Sequence, residues 1–301
     1  MPPQAAGSAW PAAALLVNAF VWGVSWWPFR WLEAQGLHAL WATTIVYALS
    51  SAVILAWRPR AFAGLLRHPA LWWIVLASGT TNAAYNWAVT FGDVVRVVLL
   101  CYLMPLWAVL FARVLLDERP DAAALARVGM ALAGAVVVLW PSAGAGTSPR
   151  LADALGLVAG ASFALNNVLL RREAASPPEA RALAMFGGGA VVALGLAIGL
   201  GAAGGVPAPP PAAAGWIAGA LLLGLFFLAG NLALQYGAGR LPAHVTAVVL
   251  VSEVLFAAVS ALALGASTAS WPLAAGGALI VGASLLAARP AQPAQPVDQS
   301  G

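Results

Sequence analysis

Hydrophobic residues fall along this chain in ten long, nearly uninterrupted runs, with arginine, proline and other polar residues gathered between them. The runs cover about 12–31, 38–57, 70–90, 94–116, 122–140, 152–170, 182–203, 214–236, 242–264 and 271–288. A helix crossing a bilayer needs roughly 20 mostly apolar residues, so each run reads as a transmembrane span. The breaks are punctuated by Arg58-Pro59-Arg60, by Asp117 to Asp121, by Pro141 to Pro149, by Arg171-Arg172-Glu173 with Pro177-Pro178, by the proline-rich 207–211, and by Arg240-Leu241-Pro242. Residues 1–10 lack a basic stretch of the signal-peptide kind, so the first run is read as a retained span. The polar, proline-rich residues 291–301 are expected to form a disordered tail.

Composition agrees with lipid as the main solvent. The chain is 62% hydrophobic and 8% charged, against roughly 25% charged in soluble domains. So few charges could not cover a globular surface in water, and the short loops leave no room for a separate soluble domain. The net charge of +4 is no nucleic-acid signature, because the basic residues stand singly or in small groups beside the apolar runs. All are arginine, and with the many alanines, glycines and prolines this suggests a GC-rich bacterial coding sequence.

Arginine placement sets an orientation. One side of the membrane takes Arg58, Arg60, Arg67, Arg113, Arg119, Arg127, Arg171, Arg172, Arg181, Arg240 and Arg289. The other takes Arg30, Arg96 and Arg150. The positive-inside rule places the first side, with both termini, in the cytoplasm of a bacterial inner membrane. Arg113 and Arg127 lie slightly inside their runs and would snorkel outward. Trp10, Trp57, Trp72, Trp73, Trp140, Trp216 and Trp271 fall near predicted helix ends, where amphipathic rings favour the headgroup layer. Small-residue pairs Gly156/Gly160, Gly195/Gly199 and Gly215/Gly219 have the spacing of close helix contacts.

The chain also resembles itself. Trp22, Gly23, Trp26 and Arg30 align with Phe163, Ala164, Asn167 and Arg171, while Asn86, Phe91 and Gly92 align with Asn231, Tyr236 and Gly237. ARVGMALAGAVVVL (126–139) aligns with AGGALIVGASLL (274–285), pairing Gly129 with Gly277 and Gly134 with Gly282. Five spans per half is an odd number, so the second half would enter the membrane inverted. The expected fold is an all-α membrane protein of ten transmembrane helices in two inverted five-helix repeats, 1–146 and 147–290. Such repeats bracket midplane substrate sites in many secondary transporters.

Polar residues inside spans supply the candidate site. Asn82, Tyr85 and Asn86 share one face of the third run, and Phe163, Asn166 and Asn167 repeat that spacing on the sixth. Asn231 and Gln235 share a face of the eighth, and Asn18, Trp22 and Trp26 share one of the first. Amides can hold an ammonium and a carboxylate, and aromatic rings an apolar group or a cation. Alternatively, the amides serve only as hydrogen bonds between helices.

Glu253 lies mid-span with no arginine in its own run, where a charge costs roughly 2.5–3.5 kcal/mol or more. It is expected to bind a substrate ammonium or exchange a proton, or else to be a neutral structural acid bonded to backbone. The repeat sets it opposite Pro105, which removes a backbone donor and is expected to act as a hinge. Tyr102 and Trp107 flank that proline and are candidate cavity aromatics. Asp93 and Arg96 at the extracytoplasmic mouth form a candidate pair or gate. His38, His68 and His244 are too dispersed, and Cys101 too solitary, for a metal site.

The early Trp22-Gly23, the run PLWAVLFARVLLDE (105–118) and the Gly129/Gly134 helix after it together resemble the drug/metabolite transporter superfamily in its EamA-type branch. The aromatic-rich first half is similar to the aromatic amino acid exporters of the YddG type. In the second half Val254 follows Glu253 where the family often has proline, and Ala266 stands where an acidic residue is usual. The resemblance implies a secondary transporter or facilitator exporting amino acids, aromatic ones included, by alternating access. Its partners would be the amino-acid substrate, the lipid bilayer and a coupling proton, with no cofactor. An exporter of drug-like organic cations is the alternative within the superfamily. A membrane-embedded enzyme is disfavoured, because no metalloprotease helix, nucleophile elbow or nucleotide loop occurs.

Overall fold

The computed structural model describes residues 10–118, 120–139, 150–238, 240–241 and 243–287. The linker at 140–149, with Trp140, and the tail 291–301 lie outside the described residues, as do the side chains of Gln235 and His244. Those described form fourteen helices and no strand. In order they are α1 (Trp10–Val24), α2 (Trp26–Ala34), α3 (Ala39–Trp57), α4 (Arg60–Arg67), α5 (Leu71–Phe91), α6 (Val94–Cys101) and α7 (Met104–Leu115). There follow α8 (Ala122–Leu139), α9 (Arg150–Arg172), α10 (Pro178–Ala202), α11 (Ala214–Ala238), α12 (Ala243–Leu250), α13 (Ser252–Ala263) and α14 (Trp271–Ala287).

Each apolar run is helical, and the chain is a multi-pass membrane protein. Seven segments are long and apolar enough to cross a bilayer: α1 with α2, α3, α6 with α7, α8, α9, α10 and α11. Helix α5 makes an eighth when joined to α4, from which it is bent by 108°. The last two runs hold shorter apolar helices, Val248–Ala263 and Trp271–Leu286. The ninth is interrupted at Val251, and α14 has 17 residues, under the usual spanning length.

Local chemistry explains the ends and breaks. The Asp93 carboxylate accepts from the backbone N–H of Arg96 at 2.9 Å and caps α6. Asp121 does the same for Ala124 at the start of α8, at 2.6 Å. The expected hinge at Pro105 is displaced: the span breaks at Tyr102–Leu103, and Pro105 lies in the first turn of α7. There its missing N–H would have had no helical partner anyway, so the proline starts a half-helix rather than kinking one. Helix α4 was not anticipated, because Arg58, Arg60 and Arg67 dilute the apolar pattern of that stretch.

Small residues set the closest helix crossings. A Cβ on Gly134 would lie 2.7 Å from the Gly276 carbonyl oxygen, and one on Gly276 would lie 2.6 Å from that of Gly134, so α8 and α14 meet backbone to backbone. Gly156 and Gly160 let α9 lie against Val97 and Cys101 of α6. Gly195 and Gly199, despite the same spacing, have no neighbour within 4 Å. Outside the bundle large apolar side chains stand exposed, among them Val114, Leu222 and Val259, as lipid-facing residues should. Trp10, Trp57, Trp73 and Trp271 are exposed at helix ends.

Candidate functional site

Two spans are broken near their middles. Helix α6 gives way to α7 at Tyr102–Leu103, and α12 gives way to α13 at Val251. The breaks adjoin. The Tyr102 hydroxyl donates to Oε2 of Glu253 at 3.1 Å, with the Leu250 carbonyl 3.3 Å away. Glu253 sits in the first turn of α13, where free backbone N–H groups favour negative charge. Its partner is thus a phenol from another span rather than its own backbone. Glu253 as a residue is half-buried at this junction. Tyr85 and Tyr102 belong to one buried cluster with Trp26 and Val254. Trp22 of α1 meets Tyr85 with ring centroids 6.4 Å apart and Phe227 of α11 at 4.7 Å, both edge to face.

Burial changes sharply at this level. Six of the eight residues of α6 are buried, whereas α7, the continuation of the same span, buries none. Helix α9 shows the same change along one face. Gly156 and Gly160 are covered by α6, but Phe163, Asn167 and Arg171, continuing that stripe, are exposed. Lipid accounts for one open side of α7. The stripe on α9 is exposed beyond the break, although α7 still packs against that helix.

The end carrying α6 is fastened by polar contacts. The Arg96 guanidinium makes a two-point pair with Asp153 of α9 at 2.7 and 2.8 Å, and donates to the Val138 carbonyl at 2.9 Å. Asp93 accepts from the Ser267 hydroxyl at 2.8 Å. Arg30 donates to the carbonyls of Val89 at 2.8 Å and Gly92 at 2.5 Å, and lies over the Trp26 ring. Trp26 in turn donates to Ser260 at 2.9 Å. The expected local pair or gate of Asp93 and Arg96 is not formed side chain to side chain: Asp93 meets the Arg96 backbone and Ser267 in the loop before α14, while the Arg96 side chain goes to Asp153 of α9. Asp153, near the start of the sixth run, was not anticipated from the sequence. Ser260 and Ser267 carried no sequence signal.

The asparagine stripes are corrected as well. Asn82 accepts from the Tyr47 hydroxyl at 2.5 Å and donates to Ser78, and Asn86 donates to Thr43 at 3.1 Å. Both therefore turn toward α3. Asn18 donates to the Gly230 carbonyl at 2.9 Å, and Asn231 to Phe227 of its own helix at 3.1 Å. A helix places i, i+3 and i+4 on one face, but that face can look at a neighbouring helix as readily as at a cavity. The stripe on α9 divides, with Asn166 buried while Phe163 and Asn167 are exposed. The Oδ1 atoms of Asn86 and Asn166 and the Nε1 of Trp107 are buried without a hydrogen-bond partner among the described residues. Trp107 stacks on Phe111 at 6.3 Å.

Two helix breaks therefore adjoin beside Glu253 within a bundle of apolar helices. Residues 9–140 are similar to the EamA-like transporter family. No curated protein matches the chain. Among solved structures 15 chains match. One, a crystal structure of a protein, has a TM-score of 0.57 at 22% sequence identity, covering 93% of this chain and 97% of that one. That likeness extends the shared fold through the second half.

Proposed function

We propose that the chain is a secondary transporter or facilitator exporting amino acids, aromatic ones included, across a bacterial inner membrane by alternating access. In this reading ten spans form two inverted halves, 1–146 and 147–290, with both termini cytoplasmic. The breaks at Tyr102 and Leu250–Val251 fall at positions that the internal repeat pairs, which supports the two-half arrangement. The observation that carries the reading is the Tyr102–Glu253 contact, because it sets a carboxyl and two half-helix ends beside the Trp22/Tyr85 wall. The substrate ammonium goes to Glu253. Its carboxylate goes to the N-terminal turn of α7, where no acidic side chain competes and Trp107 has a free donor. Trp22 and Tyr85 take the apolar side chain, while Phe163 and Asn167 line the route on the open side. Glu253 is also the group that would exchange a coupling proton.

The polar fastening around Arg96–Asp153 and the open faces of α7 and α9 support a state closed outside and open to the cytoplasm. Glu253 with Trp22 would also suit an organic cation, so the test separates the two substrates. In proteoliposomes, counterflow of labelled phenylalanine that is lost in Glu253→Gln supports the amino-acid reading. Counterflow by a quaternary ammonium and none by phenylalanine rejects it.

A further inference from the structure

We propose that the cleft between α4 and the start of α10 binds the headgroup of an ethanolamine phospholipid from the surrounding bilayer. Helix α4 runs at 108° to the spanning α5, so it lies nearly in the membrane plane. Its Ala61 and Leu65 are buried in the bundle, and its Phe62 and Leu66 are exposed. Arg60 and Arg67, two turns apart, stand on a separate face, with Gly64 between them. This face forms one wall of a cleft of about 330 Å³ whose other wall is Pro177 and Glu179.

The cleft carries both charges of that headgroup. Arg60 and Arg67 are exposed and make no ion pair among the described residues, and neither does Glu179. Guanidinium groups favour a phosphate, and the N-terminus of α10 adds positive potential on the same side. Glu179 would repel a purely anionic headgroup but accepts hydrogen bonds from a primary ammonium. The small side chains at Gly64 and Ala63 leave the floor low, and Gly64 allows α10 close enough that an added Cβ would lie 2.9 Å from that of Ala180. His68, its Nδ1 2.8 Å from the Gly64 carbonyl, closes one end. The glycerol and acyl chains would lie along Phe62 and Leu66.

Native mass spectrometry of the full chain, delipidated and offered phosphatidylethanolamine, phosphatidylglycerol or phosphatidylcholine in mixed micelles, tests this. Phosphatidylethanolamine should be retained over both others. Arg60→Ala and Arg67→Ala should each lower its retention roughly fivefold, and Arg60→Lys with Arg67→Lys should recover part of it. Glu179→Gln should abolish the preference over phosphatidylglycerol while keeping phospholipid bound, an effect that misfolding would not produce. Soluble phosphoethanolamine should fail to displace the lipid, because it lacks the apolar contacts. Equal retention of all three lipids, retention unchanged by the arginine variants, or full displacement by phosphoethanolamine would overturn the assignment.

Discussion

Tyr102 and Glu253, 151 positions apart, meet at 3.1 Å where two broken spans adjoin. The phenol hydrogen bond holds a carboxyl that would otherwise lack a side-chain partner inside an apolar bundle.

Replacing Glu253 with Gln keeps the shape and a hydrogen-bond acceptor for Tyr102 but removes the charge. Transport in proteoliposomes should fall at least about a hundredfold, since a charge-assisted hydrogen bond to the substrate is lost with its Coulomb attraction. The pH dependence of the residual rate should flatten. Parent-like rates with a parent-like pH profile would remove Glu253 from both substrate binding and proton exchange.

Tyr102→Phe deletes the hydrogen bond to Glu253 and should cost about 1–3 kcal/mol in stability. Its larger effect should be on substrate affinity, because Glu253 loses the contact that fixes its direction. Counterflow at graded substrate concentrations separates the two. A pure loss of stability with unchanged affinity would mean that the hydroxyl only packs.

Arg96 and Asp153 form the strongest fastening of the α6 end, with side chains 21% and 13% exposed. Asp153→Asn should destabilise the protein by roughly 3 kcal/mol, since a largely buried guanidinium would lose its counter-charge. A cysteine placed at Ser267 should then react faster with a membrane-impermeant thiol reagent added outside. Equal labelling with and without Asp153 would show that the pair does not help to hold that end closed.

The glycine contacts give a matched comparison. Gly134→Val should prevent folding or lower the unfolding temperature strongly, because its side chain would enter the Gly276 carbonyl and Ile280. Gly195→Ala has open space around it and should stabilise α10 by about 0.5–1 kcal/mol. Thermal unfolding in one detergent compares them directly, and similar effects from both would contradict the α8–α14 crossing.

Much of the element order was legible because a spanning helix must satisfy its backbone internally and present apolar residues to lipid for about twenty positions. The interior breaks were harder to see. Pro105 pointed to the right turn of the right span, but the interruption lies at Tyr102–Leu103, and Val251 carries no breaker at all. Glu253 stood out by its cost in an apolar run. Asn82 and Asn86 stood out equally, yet they turn to Tyr47 and Thr43. Burial cost marks a polar residue that needs a partner, and it does not say whether that partner is a helix or a solute.

The sequence by itself determined that lipid surrounds this chain, where its helical runs lie, and which few polar groups must find partners. Those follow from composition and one-dimensional spacing, which act through local backbone and solvation energies. Tertiary structure alone decided that Tyr102 meets Glu253, that Arg96 takes Asp153 instead of its neighbour Asp93, and that one stripe of α9 is covered at Gly156 and Gly160 but exposed at Phe163 and Asn167. Such choices depend on how helices cross, and crossing geometry is set by contacts between residues a hundred positions apart that no local pattern encodes.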